Sequence, residues 1–414
     1  MDILQITSLL IVLAAAFASI NYLVLRLPSA IGIMIVALAA SLAVLGIDAL
    51  IPSSQMAETV RAQVLQIEFS EALLEGMLGL LLFAGALHVK LSDLKEQWLL
   101  VFLMATIGIG LSTAIVGFGF SYVTGIPLLI ALVFGALISP TDPVAVLGVL
   151  RQANLKKSLE TKIAGESLFN DGVGYVVFLV LVGLAFPAVT AEDHGGGLGD
   201  AVILFLQEAV GGALLGFILG WLTFRVMRRI DDYSVEVLLT LALAFGGYSL
   251  SLFLHVSAPI MAVVAGLLIG DVGMAKGMSE TTREYVDAFW KLIDEILNAV
   301  LFLMIGFEVF AVAFNMETVT AGAYAVALAL VARLFAVAVP VLLLRRIREF
   351  TPGVIPIMTW GGLKGGISVA LVLSLPDSEW KPVMLTATYM VVVFSIIVQG
   401  LTVAPLAKWL TRAA

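Results

Sequence analysis

Acidic, hydroxyl and amide side chains lie close together in two apolar segments of the chain. Their residues, within SPTDPVAV and GESLFNDG, are Thr141, Asp142, Glu166, Ser167, Asn170 and Asp171. A carboxylate at the centre of a bilayer costs at least about 2.5–3.5 kcal/mol. The three carboxylates therefore need cationic partners, a water-filled cavity or a bound cation. Carboxylate and hydroxyl oxygens suit a hard alkali cation better than a transition metal.

The composition indicates that these segments lie in a membrane. Hydrophobic residues make up 61% of the 414 residues and charged residues only 13%, whereas soluble proteins carry about 25% charged residues. The chain has no Cys, which excludes disulfides and thiolate metal sites. Its net charge of -8 gives no indication of a nucleic-acid partner.

Apolar stretches long enough to cross about 30 Å of hydrocarbon recur along the whole sequence. We predict an all-α polytopic membrane protein with thirteen spans and a single transmembrane domain over 1–414, without a soluble regulatory domain. The predicted spans are 3–25, 29–47, 69–90, 97–121, 126–149, 158–186, 200–224, 234–254, 258–272, 290–312, 318–344, 353–375 and 383–410.

The distribution of basic residues predicts the orientation of these spans. With the N-terminus outside, 18 of the 22 Lys and Arg residues lie in inside loops. Arg61 and Lys381 lie outside, and Arg333 and Lys364 lie within spans. Because cytoplasmic loops carry an excess of Lys and Arg, we expect a multi-pass protein of the plasma (inner) membrane with its C-terminus in the cytoplasm.

Two of the predicted spans are interrupted. Span five contains Pro140 and Pro143, which remove backbone donors and break a helix. Span twelve contains four glycines around a buried lysine, and we expect them to unwind easily. These residues are Gly361, Gly362, Lys364, Gly365 and Gly366. The breaks are seven spans apart, which predicts two inverted six-helix repeats with span seven as the connector. Interrupted spans at matching positions point to a transporter site.

Charge pairing divides the buried groups. Arg333 cannot lose its proton, and we predict an ion pair with Glu166. Asp142 and Lys364 lie in the two breaks, where half-helix ends present partial charges, so Lys364 compensates a helix dipole. Three acids and two cations leave one negative charge, and Asp171 has no evident fixed partner.

A single unpaired carboxylate predicts competition between two ions. Burial favours its neutral, protonated form, whereas a bound cation favours the charged form. Thr141, Ser167 and Asp142 are expected to complete the oxygen ligands around Asp171. If each loaded state carries either one proton or one cation, the exchange is electroneutral. It is then driven by the ion gradients, about 1.4 kcal/mol per pH unit.

At these residues the chain resembles the monovalent cation:proton antiporters of NhaP type, relatives of the animal sodium/proton exchangers. The matching pieces, in family order, are 83–94, 139–146, 165–172, 289–309, Arg333 and 359–371. The resemblance implies Na⁺ (or Li⁺) exchange for H⁺ in pH homeostasis. It implies a transporter rather than an enzyme, with no cofactor beyond the transported ions. In the family form Asn170 steadies the Arg333–Glu166 pair, and Lys364 is more often arginine.

The resemblance also implies a fold and an assembly. The fold is that of the NhaA-like antiporters, with broken helices five and twelve crossing in the core. The expected interface part covers about 1–95 and 200–312, and the ion-transporting core about 97–186 and 318–410. A homodimer through a membrane-embedded interface is implied, with no soluble partner.

Other functions remain compatible with parts of the pattern. Potassium/proton exchange would use the same scaffold. A cation channel or an intramembrane aspartyl protease fits less well, because neither needs broken helices in two inverted halves. Buried acids can also be purely structural. Outside the main cluster, four acids have no assigned role at this point: Glu75, Asp294, Glu295 and Glu308.

Overall fold

The computed structural model describes most of the chain. The described residues are 3–51, 55–65, 69–144, 146, 157–187, 198–312, 314–348, 350 and 352–412. Across these ranges the regular elements are helical, and no strand is present. Residues 191–197, between the sixth and seventh predicted spans, lie outside the described residues. So do Arg151 and Lys156, two of the 18 basic residues expected inside, and the Glu75 side chain.

Ten helices in the described ranges are long and apolar enough to cross a membrane. They are Leu4–Leu25, Ser29–Leu50, Phe69–Leu87, Leu91–Thr124, Leu159–Ala185, Val202–Met227, Tyr233–Phe253, Ala258–Lys276, Met316–Leu344 and Lys381–Leu410. The prediction of an all-helical multi-pass membrane protein is therefore confirmed. The count of thirteen, the orientation and the inverted repeats remain predictions.

The other three predicted spans correspond to broken or charged helices. Predicted span 126–149 begins as the helix Leu128–Ile138. Predicted span 353–375 consists of the half-helices Val354–Trp360 and Gly366–Leu373. Predicted span 290–312 forms most of the helix Glu280–Phe307 and a 3₁₀ turn at Glu308–Phe310.

Helix boundaries differ from the sequence prediction in three places. The fourth helix starts at Leu91, because the amphipathic stretch before residue 97 continues into it. The charged segment 271–289 between predicted spans nine and ten, for which the sequence favours a separate amphipathic helix at the membrane surface, does not form one. Most of it is the first part of Glu280–Phe307, whose start is fixed by the Ser279 hydroxyl accepting from the Thr282 N–H. A helix at Met56–Leu65, between the second and third spans, was not predicted.

Small residues let the helices that hold the site pack closely. We call Lys157–Ala185 the site helix and Met316–Leu344 the arginine helix. A Cβ added at Gly174 of the site helix would lie 2.6 Å from the Pro140 ring. One added at Gly108 would lie 3.3 Å from the Ala336 carbonyl of the arginine helix. Larger residues at these positions would separate the elements that carry the polar cluster.

Candidate ion-binding site

The two interruptions predicted from proline and glycine are both present and lie against each other. We call Ser139–Asp142 the first break and Gly361–Gly365 the second break, since neither range is helical. The backbone N–H of Asp142 donates to the carbonyl of Leu363 over 2.8 Å. This hydrogen bond joins the extended parts of both breaks and satisfies polar groups that would otherwise be buried without a partner.

Asp142 and Pro143 start the second half of span five. The Oδ1 atom of Asp142 accepts a hydrogen bond of 2.8 Å from the Val144 N–H. Aspartate is a preferred N-cap, and proline is favoured at the first helical position because its missing N–H is not needed there. Pro143 therefore lies at the start of a new helical turn, of which residues 143, 144 and 146 are described.

Lys364 hydrogen-bonds to carbonyl groups that follow the first half of span five. Its ammonium donates to the carbonyls of Ser139 over 2.8 Å and Pro140 over 3.2 Å, and only 4% of the residue is exposed. These carbonyls follow the helix Leu128–Ile138 and carry its negative dipole end. Lys364 therefore lies at the carbonyl end of this half-helix, and its dipole-compensating role stays a prediction.

The glycines of the second break are needed for close packing in addition to the unwinding expected of them. None of them has a positive φ, which among the described glycines only Gly125 and Gly353 adopt. A Cβ at Gly365 would lie 2.5 Å from Asp142, and one at Gly362 would overlap the Arg333 guanidinium. Glycine is therefore needed here for close approach, because two charged side chains occupy the space of a Cβ.

Arg333 joins the site helix to the second break. The residue is 4% exposed, and its guanidinium is bidentate on Glu166, with Nη1 on Oε1 and Nη2 2.8 Å from Oε2. Nε and Nη2 also donate to the Met358 carbonyl over 3.3 and 3.1 Å. Met358 lies in the last turn of Val354–Trp360. Arg333 thus donates to a carbonyl at the end of this half-helix, as Lys364 does at the end of the other. It also neutralises the Glu166 carboxylate.

Thr141, Ser167 and Asn170 form one hydrogen-bonded group. The Thr141 hydroxyl lies 3.0 Å from that of Ser167 and accepts from the Asn170 Nδ2 over 2.8 Å. The Asn170 Oδ1 accepts from the Thr141 N–H over 3.3 Å. These hydrogen bonds hold the first break against the site helix. That Asn170 also steadies the Arg333–Glu166 pair stays a prediction.

Asp171 differs from the other acids of the cluster. It is 6% exposed, and its buried Oδ1 accepts no hydrogen bond from the described residues. It lies one turn after Ser167, on the same face of the site helix. Its charge interacts with those of Asp142 and Lys364. An oxygen without a hydrogen-bond donor beside a hydroxyl pair is suited to accept a proton or coordinate a small cation.

Several polar groups that hold the breaks were missed in the sequence. The Gln399 side chain donates to the Trp360 carbonyl over 3.1 Å and accepts from the Ser395 hydroxyl, which in turn accepts from the Lys364 N–H. Ser368 donates to the Leu137 carbonyl over 2.7 Å. The polar Gln399 within the apolar stretch 381–410 is the sequence feature from which this hydrogen bonding could have been predicted.

The family of this chain follows from comparison with known proteins. Residues 10–409 match the model of the family described as sodium/hydrogen exchanger, transmembrane. The chain is 46% identical to the Na(+)/H(+) antiporter NhaP of Pseudomonas aeruginosa, over 98% of this chain and 96% of that protein. It is 36% identical to the Na(+)/H(+) antiporter NhaH of Halobacillus aidingensis, over 86% and 87% of the two chains.

The fold has a solved counterpart. The sodium proton antiporter MjNhaP1 from Methanocaldococcus jannaschii aligns with a TM-score of 0.76, over 99% of this chain and 98% of that one. The sequence identity in that alignment is 18%, so the likeness concerns the fold. The family consists of membrane transporters and not enzymes. The chain therefore belongs to the transmembrane sodium/hydrogen exchanger family as a multi-pass protein of the cell membrane.

Proposed function

We propose that this protein exchanges Na⁺ or Li⁺ for H⁺ at a single site centred on Asp171. The observation that carries the proposal is the buried Oδ1 of Asp171, which has no hydrogen-bond partner among the described residues. Glu166 is neutralised by Arg333, and Asp142 already caps a half-helix. Of the three clustered acids, Asp171 is therefore the most available to a transported ion.

The ligands proposed for the cation are oxygens around Asp171. Thr141 and Ser167 contribute the hydroxyls that lie 3.0 Å apart, and Asp142 contributes its second carboxylate oxygen. Such a set of hard oxygen atoms suits an alkali cation. Proton and cation would occupy the same carboxylate, so each transport cycle would move one of them in each direction. The proposed exchange is electroneutral and one-for-one.

We also propose the architecture that goes with this mechanism. Ten candidate spans together with the two broken spans and the charged helix Glu280–Phe307 make the proposed thirteen. The N-terminus would lie outside and the C-terminus inside. The proposed core, about 97–186 and 318–410, contains every residue of the candidate site. The proposed homodimer would form through the other part, about 1–95 and 200–312.

The exchange is tested by ion flux in proteoliposomes. A pH gradient is imposed across vesicles containing the purified protein, and NaCl, LiCl or KCl is then added. Collapse of the gradient with sodium and lithium is expected, and collapse with potassium alone would instead favour the potassium/proton alternative. Asp171→Asn should abolish the response, because an amide neither takes up the proton nor neutralises the cation.

A matched control uses an exposed aspartate. Asp377 is fully exposed and pairs with Lys381 at the protein surface, so Asp377→Asn should leave the exchange unchanged. Retained exchange in Asp171→Asn would refute the site assignment. Setting the membrane potential with valinomycin should leave the sodium-dependent rate unchanged, and a rate that follows the potential would refute the one-for-one exchange.

A further inference from the structure

Lys162 is a buried cation without an anionic partner among the described residues. It lies near the start of the site helix, one turn before Glu166, and only 5% of it is exposed. Its ammonium lies 5.4 Å from the centroid of the Phe350 ring, whose face attracts a cation. No described oxygen accepts a hydrogen bond from it or forms an ion pair with it. A desolvated ammonium of this kind needs a counter-charge.

A second cation lies beside Lys162. Arg348 donates one guanidinium hydrogen bond to the Glu96 carbonyl, whereas the Glu96 side chain is exposed. The positive charges of Arg348 and Lys162 repel each other. An anion bound between the two side chains would be attracted to both and would offset their mutual repulsion. The remaining donors of the planar guanidinium suit the oxygens of a phosphate group.

The cation pair lies where three helices end at the same side of the bundle. The helix Leu91–Leu103 and the site helix start there, and the arginine helix ends at Leu344 just before Arg348. Two apolar side chains near the pair are exposed: Ile347, next to Arg348, is 76% exposed, and Trp98, two residues after Glu96, is 55% exposed. Tryptophan at a helix end is typical of the membrane–water interface. An anion held here would have apolar surface beside it, which favours a lipid over free phosphate.

We propose that Lys162 and Arg348 bind the phosphate of an anionic phospholipid whose acyl chains lie along Ile347 and Trp98. Basic pockets between helix ends are suited to phospholipid headgroups. The phosphate would provide the counter-charge that no described residue gives Lys162, and it would link the site helix to the segment after the arginine helix. This inference does not depend on the ion that is transported.

The lipid site is tested by ligand-induced stabilisation of the delipidated protein in a neutral detergent. Phosphatidylglycerol, phosphatidylcholine and inorganic phosphate are titrated separately, and the midpoint of thermal unfolding gives an apparent affinity. Only phosphatidylglycerol should stabilise the protein. Arg348→Gln and Lys162→Gln should each weaken this affinity about fivefold, the usual contribution of one basic residue to binding an anionic lipid. The exposed Arg346 provides the matched control, and Arg346→Gln should bind as the parent does.

Three results would overturn the proposal. An equal loss of phosphatidylglycerol affinity in Arg346→Gln and Arg348→Gln would mean that the lipid binds only through the overall positive charge of the segment. Stabilisation by inorganic phosphate equal to that by phosphatidylglycerol would make the ligand a free anion. If Lys162→Gln does not fold, Arg348→Gln decides, and unchanged lipid affinity in that variant would also refute the site.

Discussion

Removal of Glu166 should destabilise the protein more than removal of both members of its ion pair. In Glu166→Leu the Arg333 guanidinium stays charged and buried, with the Met358 carbonyl as its remaining hydrogen-bond acceptor. Breaking a buried ion pair by removing one partner costs about 3–5 kcal/mol. In the double variant Glu166→Leu/Arg333→Met both charges are gone, and the loss of donors to Met358 costs about 1–3 kcal/mol. The double variant should therefore be more stable than Glu166→Leu by about 2 kcal/mol.

The free energies are measured by equilibrium unfolding in mixed micelles with increasing dodecyl sulfate, followed by tryptophan fluorescence. Arg345 provides a control, because it is an exposed arginine that directly follows the arginine helix. Arg345→Met should change the free energy of unfolding by less than about 0.5 kcal/mol. A double variant no more stable than Glu166→Leu would refute the reasoning, because the uncompensated guanidinium would then not be the source of the cost.

Three further predictions concern neighbouring features. Gly362→Ala should displace the guanidinium and lower the free energy of unfolding by at least about 2 kcal/mol; Gly110→Ala, where an added Cβ meets nothing within 4 Å, is the control in the same unfolding assay. Lys364→Met should reduce sodium-dependent flux at least tenfold by uncovering two carbonyls, whereas Lys364→Arg should retain it, and equal flux in both would contradict the dipole role. Burial lowers the pKa of His88 below its usual 6.5 more than Asp287, 3.4 Å away, raises it. The folded state therefore favours the neutral imidazole. Stability is fully present above pH 6.5; as the pH falls from 6.5 towards the folded pKa, the unfolded state binds the proton more readily and the free energy of unfolding decreases. In His88→Asn the free energy of unfolding should depend less on pH over that range, and an unchanged pH dependence would contradict this assignment to His88.

The sequence was sufficient to predict the polar cluster because the bilayer makes buried charge expensive. That cost identified Arg333 and Glu166 as partners, and they form a bidentate contact in the structure. The same reasoning could not assign Asn170, since an amide carries no charge and its position on the helix allows more than one partner. The hydrogen bonds to Thr141 became visible only in three dimensions.

The breaks illustrate another limit of sequence reasoning. Proline and glycine correctly indicated where the helices stop, because both residues act on the local backbone. The purpose of Gly362 and Gly365 could not be inferred in this way, since the side chains that fill their space come from Arg333 and Asp142. Helix Glu280–Phe307 shows a similar effect at its start, where charged turns continue into an apolar helix instead of forming a separate one.

The placement of the two buried cations has a consequence for biogenesis. The ribosome makes the first break and Glu166 before it makes Arg333 and Lys364, which lie 167 residues after Glu166 and 225 residues after Ser139. The first half of the chain therefore enters the membrane with its acids and half-helix carbonyls not yet matched. Nascent chains that end before the arginine helix should be held by the insertion machinery or degraded. Synthesis of the second half then supplies the two cations that match these groups.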